Sequence, residues 1–246
     1  LLRGGVIFSD NFTGPALDPA WQVLPGVGSY SLGPNGLRYN AAGFGSSPSG
    51  WFSTSLSLAL PFTGTSWQVD VLATHSLSWL LSGSYTGPSV PMQVDSSGGQ
   101  RMRPMIAFDP ATVGDRSALG GNNVAGFDRG VDAWYGENSL SAWYGTTSAP
   151  GLLPPAGSNI VNNIANGTFW YRFVRDGGTL TLSYSTNGVN FSQALSTTLA
   201  NPTSTYNQLV LSGATFHTAG SFTDIRSVTI TDTIPEPGTW ALMSVG

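Results

Sequence analysis

The acidic residues of this chain are few, and their spacing argues against hydrolytic chemistry. Of 13 acidic residues, only Glu137 and Glu236 are glutamates. Retaining cleavage of a glycosidic bond requires two carboxyl groups about 5–5.5 Å apart, one of them kept protonated. Such pairs usually alternate along one strand, and no Asp-x-Asp or Glu-x-Glu pattern occurs in the sequence. We therefore expect the protein not to be an enzyme.

Nucleophilic and thiolate chemistry also lack their usual residues. The chain has no cysteine, and its only histidines are His75 and His217. No Gly-x-Ser-x-Gly sequence places a serine on a nucleophile turn. We interpret each histidine as a surface residue or as a hydrogen-bonded structural residue. We expect no catalytic residue and no zinc site built on thiolates.

The most distinctive motif is Ala-Trp-Tyr-Gly, which occurs twice, nine positions apart, and contributes Trp134, Tyr135, Trp143 and Tyr144. We predict a hairpin that turns at Glu137–Ser139 and sets the two Trp-Tyr pairs across from each other. On each strand one ring would then face the core and the other would face outward. Outward rings would form a stacking platform for a sugar or a contact patch for a protein. Ordinary cross-strand packing explains the same rings, so both interpretations stay open.

The charge pattern excludes a nucleic-acid partner. All 9 basic residues are arginines, they are spread thinly along the chain, and the net charge is −4. Binding to nucleic acid requires a concentrated basic surface that releases phosphate counterions. Only 9% of the residues are charged, so little electrostatic repulsion opposes association between copies.

Short alternating segments, separated by Gly, Pro, Asn and Ser, predict an all-β fold, an antiparallel β-sandwich. No segment of the chain shows a sustained helical period. The turns Asp176-Gly177-Gly178 and Asn187-Gly188 have the composition of hairpin turns. The clearest predicted strands are Val6–Phe12, Gly28–Leu32, Gly36–Asn40, Phe52–Leu60, Trp67–Thr74, Arg103–Phe108, Thr168–Arg175, Thr179–Thr186, Val189–Ala194, Gln208–Phe216 and Thr223–Asp232. We predict that the last five are consecutive antiparallel strands.

Three segments show sequence motifs in addition to the alternation of apolar and polar residues. They are Phe8-Ser-Asp-Asn-Phe12 with Leu17-Asp18 and Trp21, the run 169–191 that ends in Tyr-Ser-Thr-Asn-Gly-Val-Asn-Phe, and the closing run 222–230. Together they resemble the concanavalin A-like lectin and glucanase superfamily in its laminin-G-like form. The resemblance implies a jelly-roll sandwich over nearly the whole chain. It specifies function poorly, because this architecture serves enzymes, lectins and structural proteins alike.

The same resemblance implies a structural Ca²⁺ between the first and last strands. Hard cations bind clustered carboxylate and carbonyl oxygens. The candidate ligands are Asp10 on the first predicted strand and Asp224 or Asp232 on the last. The alternative is that these carboxylates cap turns or face solvent.

The C-terminal segment 234–246 contains Pro235-Glu236-Pro237 followed by apolar residues. It resembles the PEP-CTERM sorting signal, although the apolar segment is short and the basic end is missing. The resemblance implies export from a Gram-negative bacterium and contact with the envelope sorting machinery. We expect a single β-sandwich domain over residues 1–233 and a truncated sorting tail over 234–246.

These observations favour a secreted, non-catalytic protein of the bacterial surface or extracellular matrix. We expect it to self-associate or to bind other matrix proteins, and to build a structural assembly such as a filament. The alternative is a carbohydrate-binding, lectin-like module that retains exopolysaccharide. A glycoside hydrolase is the third and least supported interpretation.

Overall fold

The protein is built from β-strands in the part of the chain that the computed structural model describes. That part comprises residues 4–24, 29–40, 55–60, 65–76, 100–108, 124–132, 136–145, 159–161, 164–199, 207–215 and 222–232. The strands are β1 (Val6–Asp10), β2 (Gln22–Leu24), β3 (Ser29–Gly33), β4 (Gly36–Asn40), β5 (Ser55–Leu60), β6 (Ser66–Ser76), β7 (Gln100–Phe108), β8 (Val124–Asp132), β9 (Gly136–Gly145), β10 (Asn159–Val161), β11 (Gly167–Asp176), β12 (Thr179–Ser185), β13 (Ser192–Thr198), β14 (Asn207–Thr215) and β15 (Phe222–Asp232). Across these ranges we find no helix of the length and apolar character needed to cross a membrane.

The strands form two antiparallel sheets. Sheet A has the order β13-β12-β11-β6-β15-β4-β3, and β1 also pairs with β15. Sheet B has the order β10-β9-β8-β7-β14-β5-β2. Each sheet takes strands from both halves of the chain, so the chain crosses repeatedly between the two sheets. The predicted all-β antiparallel architecture is confirmed.

Strict alternation of burial marks the two central strands β6 and β11 of sheet A. In both strands every second side chain is buried, as expected when one face lies on the core. Their pairing runs without a shift from Gly167↔His75 to Asp176↔Ser66. A slip of one residue would turn the whole apolar set outward, so this pattern fixes the register.

The two sheets pack against each other through aromatic rings. Phe127 of sheet B lies between Tyr171 and Phe173 of sheet A, with ring centroids 5.1 Å and 5.2 Å apart. All three side chains are fully buried. One contiguous core includes residues from Phe12 to Ile230, so the described strands share a single hydrophobic centre.

His75 lies within this core as a structural residue. Its Nδ1 atom is 3.0 Å from Thr223 Oγ1, and its Nε2 atom is 2.6 Å from Tyr171 Oη. All three residues are buried, and both ring nitrogens have a hydroxyl partner. The hydrogen-bonded role predicted for this histidine is confirmed, whereas His217 lies outside the described residues.

The prediction of a hairpin that turns at Glu137–Ser139 is wrong. These residues belong to the single strand β9, and Asp132↔Gly136 is the last pair between β8 and β9. Residues 137–139 therefore continue a strand and do not form a turn. Gly-Glu-Asn-Ser has the composition of a turn, but an antiparallel strand with one face outside the core accepts polar residues at alternate positions.

The prediction of five consecutive strands at the end of the chain is correct only for the first three. Strands β11, β12 and β13 pair in chain order, and Gly177 takes the positive φ of 57° that its turn requires. Strand β14 instead lies in sheet B between β7 and β5, and β15 lies in sheet A beside β6. Alternation reveals a strand and its faces, but it does not reveal which sheet the strand joins.

A glycine substitution tests the packing of the loop between β12 and β13. Gly188 has φ 72°, and a Cβ atom built there would lie 2.9 Å from the Trp170 ring. Gly188→Ala is expected to lower the free energy of unfolding by about 2–3 kcal/mol, because backbone strain of about 1–2 kcal/mol adds to the displacement of the ring. Denaturant unfolding measures the change.

Gly177→Ala is the matched control. Gly177 also has a positive φ of 57°, but nothing lies within 4 Å of its built Cβ. It should therefore show the backbone strain alone. Equal losses in the two variants would contradict the close contact between Gly188 and Trp170.

Candidate functional site

The outer face of sheet B, which points away from the core, is the candidate site. Leu56 and Leu58 of β5 and Leu209 and Leu211 of β14 are buried in the core. Because side chains alternate along a strand, the positions between them lie on the opposite face. Residue 57 and residue 210 pair directly across these two strands.

The strand register extends this pair into a row across six strands of sheet B. Neighbouring strands lie about 4.8 Å apart, so the row is about 24 Å long. We call it the outer row; its members are Gln22, Ser57, Val210, Met105, Gly126 and Trp143. Gln22 is exposed at one end of the row.

Several outward positions in and beside the outer row hold small residues. Gly126 and Gly130 alternate on β8, and Ser212 and Ala214 alternate on β14. Glycine inside a strand often marks a place where a ligand or another backbone approaches closely. Gly126, Ser57 and Val210 are nevertheless buried, so the centre of this face is not exposed to solvent.

Ser57 places a hydroxyl group in the centre of the row. Its side chain and that of Val210 are fully buried. Within the described part of the chain, Ser57 Oγ makes no hydrogen bond. A buried hydroxyl without a partner costs about 1–3 kcal/mol of stability.

Ser57→Ala is therefore expected to raise the free energy of unfolding by about 1 kcal/mol, because it removes this unsatisfied hydroxyl. Ser185→Ala is the matched control at a second buried serine. Ser185 Oγ donates to Asn187 Oδ1 and accepts from the backbone N–H groups of Asn187 and Gly188. The control should lose about 1–2 kcal/mol, and a loss of that size at Ser57 would show that its hydroxyl has a partner.

The outer face of sheet A differs, because its charged groups are paired with one another. Arg38 donates two hydrogen bonds to Asp224, at 2.7 Å and 2.8 Å, and this hydrogen bonding raises the pKa of Arg38. Arg172 donates two to Asp70, at 2.7 Å and 3.1 Å. These two arginines and two aspartates therefore form hydrogen bonds with one another.

Each of these arginines also stacks on an aromatic ring. The Arg38 guanidinium lies 4.0 Å from the centroid of Phe222, and that of Arg172 lies 3.7 Å from that of Phe191. Cation–π stacking and a bidentate carboxylate together hold each guanidinium plane in place. The outer face of sheet A is therefore pre-organised for stability, and sheet B provides the candidate site.

Only one Trp-Tyr pair of the predicted aromatic platform lies in the described part of the chain. Trp134 and Tyr135 lie outside the described residues. Tyr144 is half-buried and packs against the core, which matches the alternative of ordinary packing. Residue 143 pairs with Gly126 and so belongs to the outer row. The repeat thus contributes one tryptophan to the candidate face.

The three aspartates predicted to bind Ca²⁺ are not brought together. Asp10 pairs with Val228, which is four residues from both Asp224 and Asp232 along β15. Four residues of strand span about 13 Å. Within the described ranges, no cluster of three or more His, Cys, Asp or Glu side chains could hold a metal ion.

Asp10 and Asp224 have other partners instead. Asp10 Oδ1 accepts from the backbone N–H of Phe12 at 2.7 Å, and Oδ2 accepts from Trp21 Nε1 at 2.8 Å. Asp224 binds Arg38. The alternative in which such carboxylates cap turns holds for Asp10, which closes the turn that follows β1.

Comparison with known proteins supports the fold. No protein-family model matches the chain, and no curated protein matches it. Among solved structures, the chain is similar to the CBM2 module of the evolved Dit protein of Lactobacillus casei BL23 phage J-1, with 9% identity, a TM-score of 0.61, and coverage of 94% of this chain and 97% of that chain. It is also similar to peanut lectin bound to a nine-residue peptide, with 12% identity, a TM-score of 0.51, and coverage of 92% and 96%.

An enzyme is among the similar structures. Laminarinase from Flavobacterium sp. UMI-01 matches with 10% identity, a TM-score of 0.55, and coverage of 93% of this chain and 100% of that chain. At these identities the likeness is one of fold. The chain has the jelly-roll β-sandwich fold of concanavalin A-like lectins and glucanases, as the sequence resemblance implied.

Proposed function

We propose that the protein is a secreted, non-catalytic carbohydrate-binding module and that its ligand contacts sheet B at an end of the outer row. The observation that carries the proposal is the likeness, over more than nine tenths of the chain, to a carbohydrate-binding module and a lectin. This interpretation replaces self-association as the leading function, because the similar structures favour it.

The position of the two ion-paired carboxylates of sheet A supports a non-catalytic role for that face. On sheet A, Asp70 pairs with Thr229 while Asp224 pairs with Thr74. These carboxylates are therefore four strand positions, or about 13 Å, apart. Glycoside hydrolysis uses carboxyl groups about 5–5.5 Å or about 6.5–9.5 Å apart. The chain also supplies only Glu137 and Glu236 as glutamates.

The outer row has the chemistry that a neutral sugar requires. Tryptophan rings stack on the apolar faces of sugars, and amide and hydroxyl groups orient sugar hydroxyls through hydrogen bonds. Residue 143 is the tryptophan of the row, and Gln22 is its exposed amide. Ser57, Gly126 and Val210 in the middle of the row are buried, so we expect the sugar contacts at its ends.

A glycan array followed by calorimetry tests the proposal. Trp143→Ala is expected to lower the affinity for the best glycan at least 10-fold, because it removes the stacking ring. Trp170→Ala is the matched control, since Trp170 is half-buried on sheet A, and it should retain wild-type affinity. Affinity unchanged in Trp143→Ala, or lost equally in both folded variants, would remove the outer row from consideration.

An activity assay addresses the non-catalytic part separately. Incubation with laminarin and with xylan is expected to release no reducing ends. Release of reducing ends by the purified protein that scales with protein concentration would show that the module is an enzyme.

Self-association remains a second candidate function, and the edge strand β1 favours it. Val6 and Ile7 are 63% and 41% exposed although they belong to a strand. Exposed apolar edge strands pair readily with other chains. Val6→Lys should abolish any concentration-dependent association seen by sedimentation, and association unchanged by this variant would exclude the β1 edge.

We also propose that residues 1–233 form one sandwich domain and that 234–246 act as a PEP-CTERM-type export signal for the outer surface. The contiguous core from Phe12 to Ile230 supports the first part. Deleting 234–246 from the secreted protein should change its cellular location but not its unfolding transition.

A further inference from the structure

We infer that the Asn35-Gly36 turn between β3 and β4 is a site of spontaneous covalent modification, whereas the Asn187-Gly188 turn is protected from the same reaction. The sequence contains three Asn-Gly dipeptides, and the third is Asn166-Gly167, where β11 begins. Neither turn takes part in the proposed carbohydrate site. The modification therefore occurs whether or not the protein binds a sugar.

The reaction is the loss of the side-chain amide of asparagine through attack by the following backbone nitrogen. The Gly36 nitrogen bonds to Cγ of Asn35, the Cγ–Nδ2 bond breaks, and Nδ2 leaves as ammonia as the Gly36 nitrogen gives up its proton. Water then opens the cyclic imide at either carbonyl carbon and yields aspartate or isoaspartate. In isoaspartate the backbone runs through Cβ and Cγ, so it is one methylene longer. Glycine favours the attack, because it has no Cβ atom that hinders the approach.

The side chain of Asn35 is free to take up the geometry of attack. Pro34 and Asn35 form the turn between β3 and β4, and both are exposed. Within the described part of the chain, the Asn35 amide makes no hydrogen bond. Gly33↔Gly36 is the pair that closes the hairpin, and the end of a strand ladder opens more readily than its centre. The amide can therefore rotate toward the Gly36 nitrogen.

Asn187 is also exposed, but hydrogen bonds hold both of its reacting groups. Its Oδ1 atom accepts from Ser185 Oγ at 3.0 Å and from the backbone N–H groups of Val189 and Asn190, both at 2.9 Å. The N–H of Gly188, which is the attacking group, donates to Ser185 Oγ at 3.0 Å. Attack on Cγ requires these hydrogen bonds to break, and each one adds to the activation barrier. Ser185 is thus the residue that contacts both groups.

Modification of Asn35 affects the structure, because Gly36 packs directly on β15. Gly36 is buried with φ 101°, and a Cβ atom built there would overlap the carbonyl oxygen of Ile225. An isoaspartate lengthens the backbone next to this contact, where no space is available. We expect the β3–β4 hairpin to shift, together with Tyr30, whose hydroxyl donates to the backbone carbonyl of Leu211 in sheet B at 3.0 Å.

Incubation of the folded full chain in mildly alkaline buffer, followed by trypsin digestion and mass spectrometry, tests the inference. Trypsin cleaves after arginine and places the three Asn-Gly dipeptides on separate peptides, which are 4–38, 130–172 and 176–226. Asn35 is expected to react at least about 10-fold faster than Asn187, because the hydrogen bonds of Asn187 must break first. In denaturant the two rates should become similar. Digestion in isotopically heavy water marks any reaction that occurs during preparation.

Variants assign the protection to Ser185. Ser185→Ala should raise the rate at Asn187 several-fold and leave the rate at Asn35 unchanged, which distinguishes local release from general unfolding. Thr186→Ala is the matched control, because Thr186 is exposed in the same loop, and it should change neither rate. Equal rates at Asn35 and Asn187 in the folded protein, no reaction at Asn35, or no effect of Ser185→Ala would overturn the inference.

The structural effect has its own measurement. Protein with isoaspartate at position 35, separated by chromatography, should unfold at a lower denaturant concentration than fresh protein. Asn35→Asp should unfold like the wild type, because it adds the charge without lengthening the backbone. An unchanged unfolding midpoint in the isoaspartate form would contradict the close packing of Gly36 on β15.

Discussion

Replacing Phe127 with alanine is expected to lower the free energy of unfolding by about 3–5 kcal/mol. The ring is fully buried and contacts Tyr171 and Phe173 of the opposite sheet. Aromatic pairs add about 0.5–1.5 kcal/mol beyond the burial of area, and two hydrogen-bonded sheets cannot collapse far into the resulting cavity. Denaturant unfolding of purified protein measures the loss.

Phe191→Ala is the control, with the same change of side chain at a half-buried position. Its ring stacks on the Arg172 guanidinium at 3.7 Å, an interaction of about 0.5–1 kcal/mol at exposed sites. A domain of this kind is stable by only about 5–15 kcal/mol, so the two variants should differ clearly. Similar losses would show that Phe127 does not join the two sheets.

The sheet A strands could be predicted because their residues agree at every level. In β6 and β11, apolar and polar residues alternate, and Asp176-Gly177-Gly178 has the composition of the turn that links β11 to β12. Local propensity, periodicity and turn chemistry then indicate the same structure. Sheet membership could not be predicted, because the partners of β14 and β15 come from distant parts of the chain.

Strand β8 was missed for a reason that concerns the candidate site. Gly126, Asp128 and Gly130 occupy its outward positions, and glycine and aspartate are depleted in strands. The outward residues of this strand therefore conceal it from the sequence pattern. The Trp-Tyr repeat did point to Trp143, but only the register shows that it shares a row with Gln22 and Ser57.

The sequence singled out Asp10 but left two roles open for it, a Ca²⁺ ligand or a cap of the turn. The sequence links Asp10 with Trp21 in one segment, and the resemblance implied that the carboxylate binds Ca²⁺. In the structure the carboxylate instead accepts the Trp21 indole N–H and a backbone N–H. Spacing along the chain could not separate these roles, because both place an aspartate at the end of the first strand.

Asp10→Ala is accordingly expected to lower the free energy of unfolding by about 3 kcal/mol. Hydrogen bonds to a charged acceptor contribute about 1.5–3 kcal/mol, and the variant leaves the buried Trp21 indole N–H without its acceptor. Asp10→Asn should lose about half as much, because one acceptor oxygen remains. Asp18→Ala, which removes an exposed acceptor of the Ala20 N–H, should lose less than about 1 kcal/mol.

Two further measurements separate this role from metal binding. In a double-mutant cycle with Trp21→Phe, Asp10→Ala should show a coupling energy of about 1–3 kcal/mol, because the two side chains share one hydrogen bond. The melting temperature should be the same in EDTA and in millimolar Ca²⁺, because Asp10, Asp224 and Asp232 are spread along β15 and its neighbour. A calcium-dependent rise in melting temperature that disappears in Asp10→Ala would restore the metal site and contradict the hydrogen-bonding role.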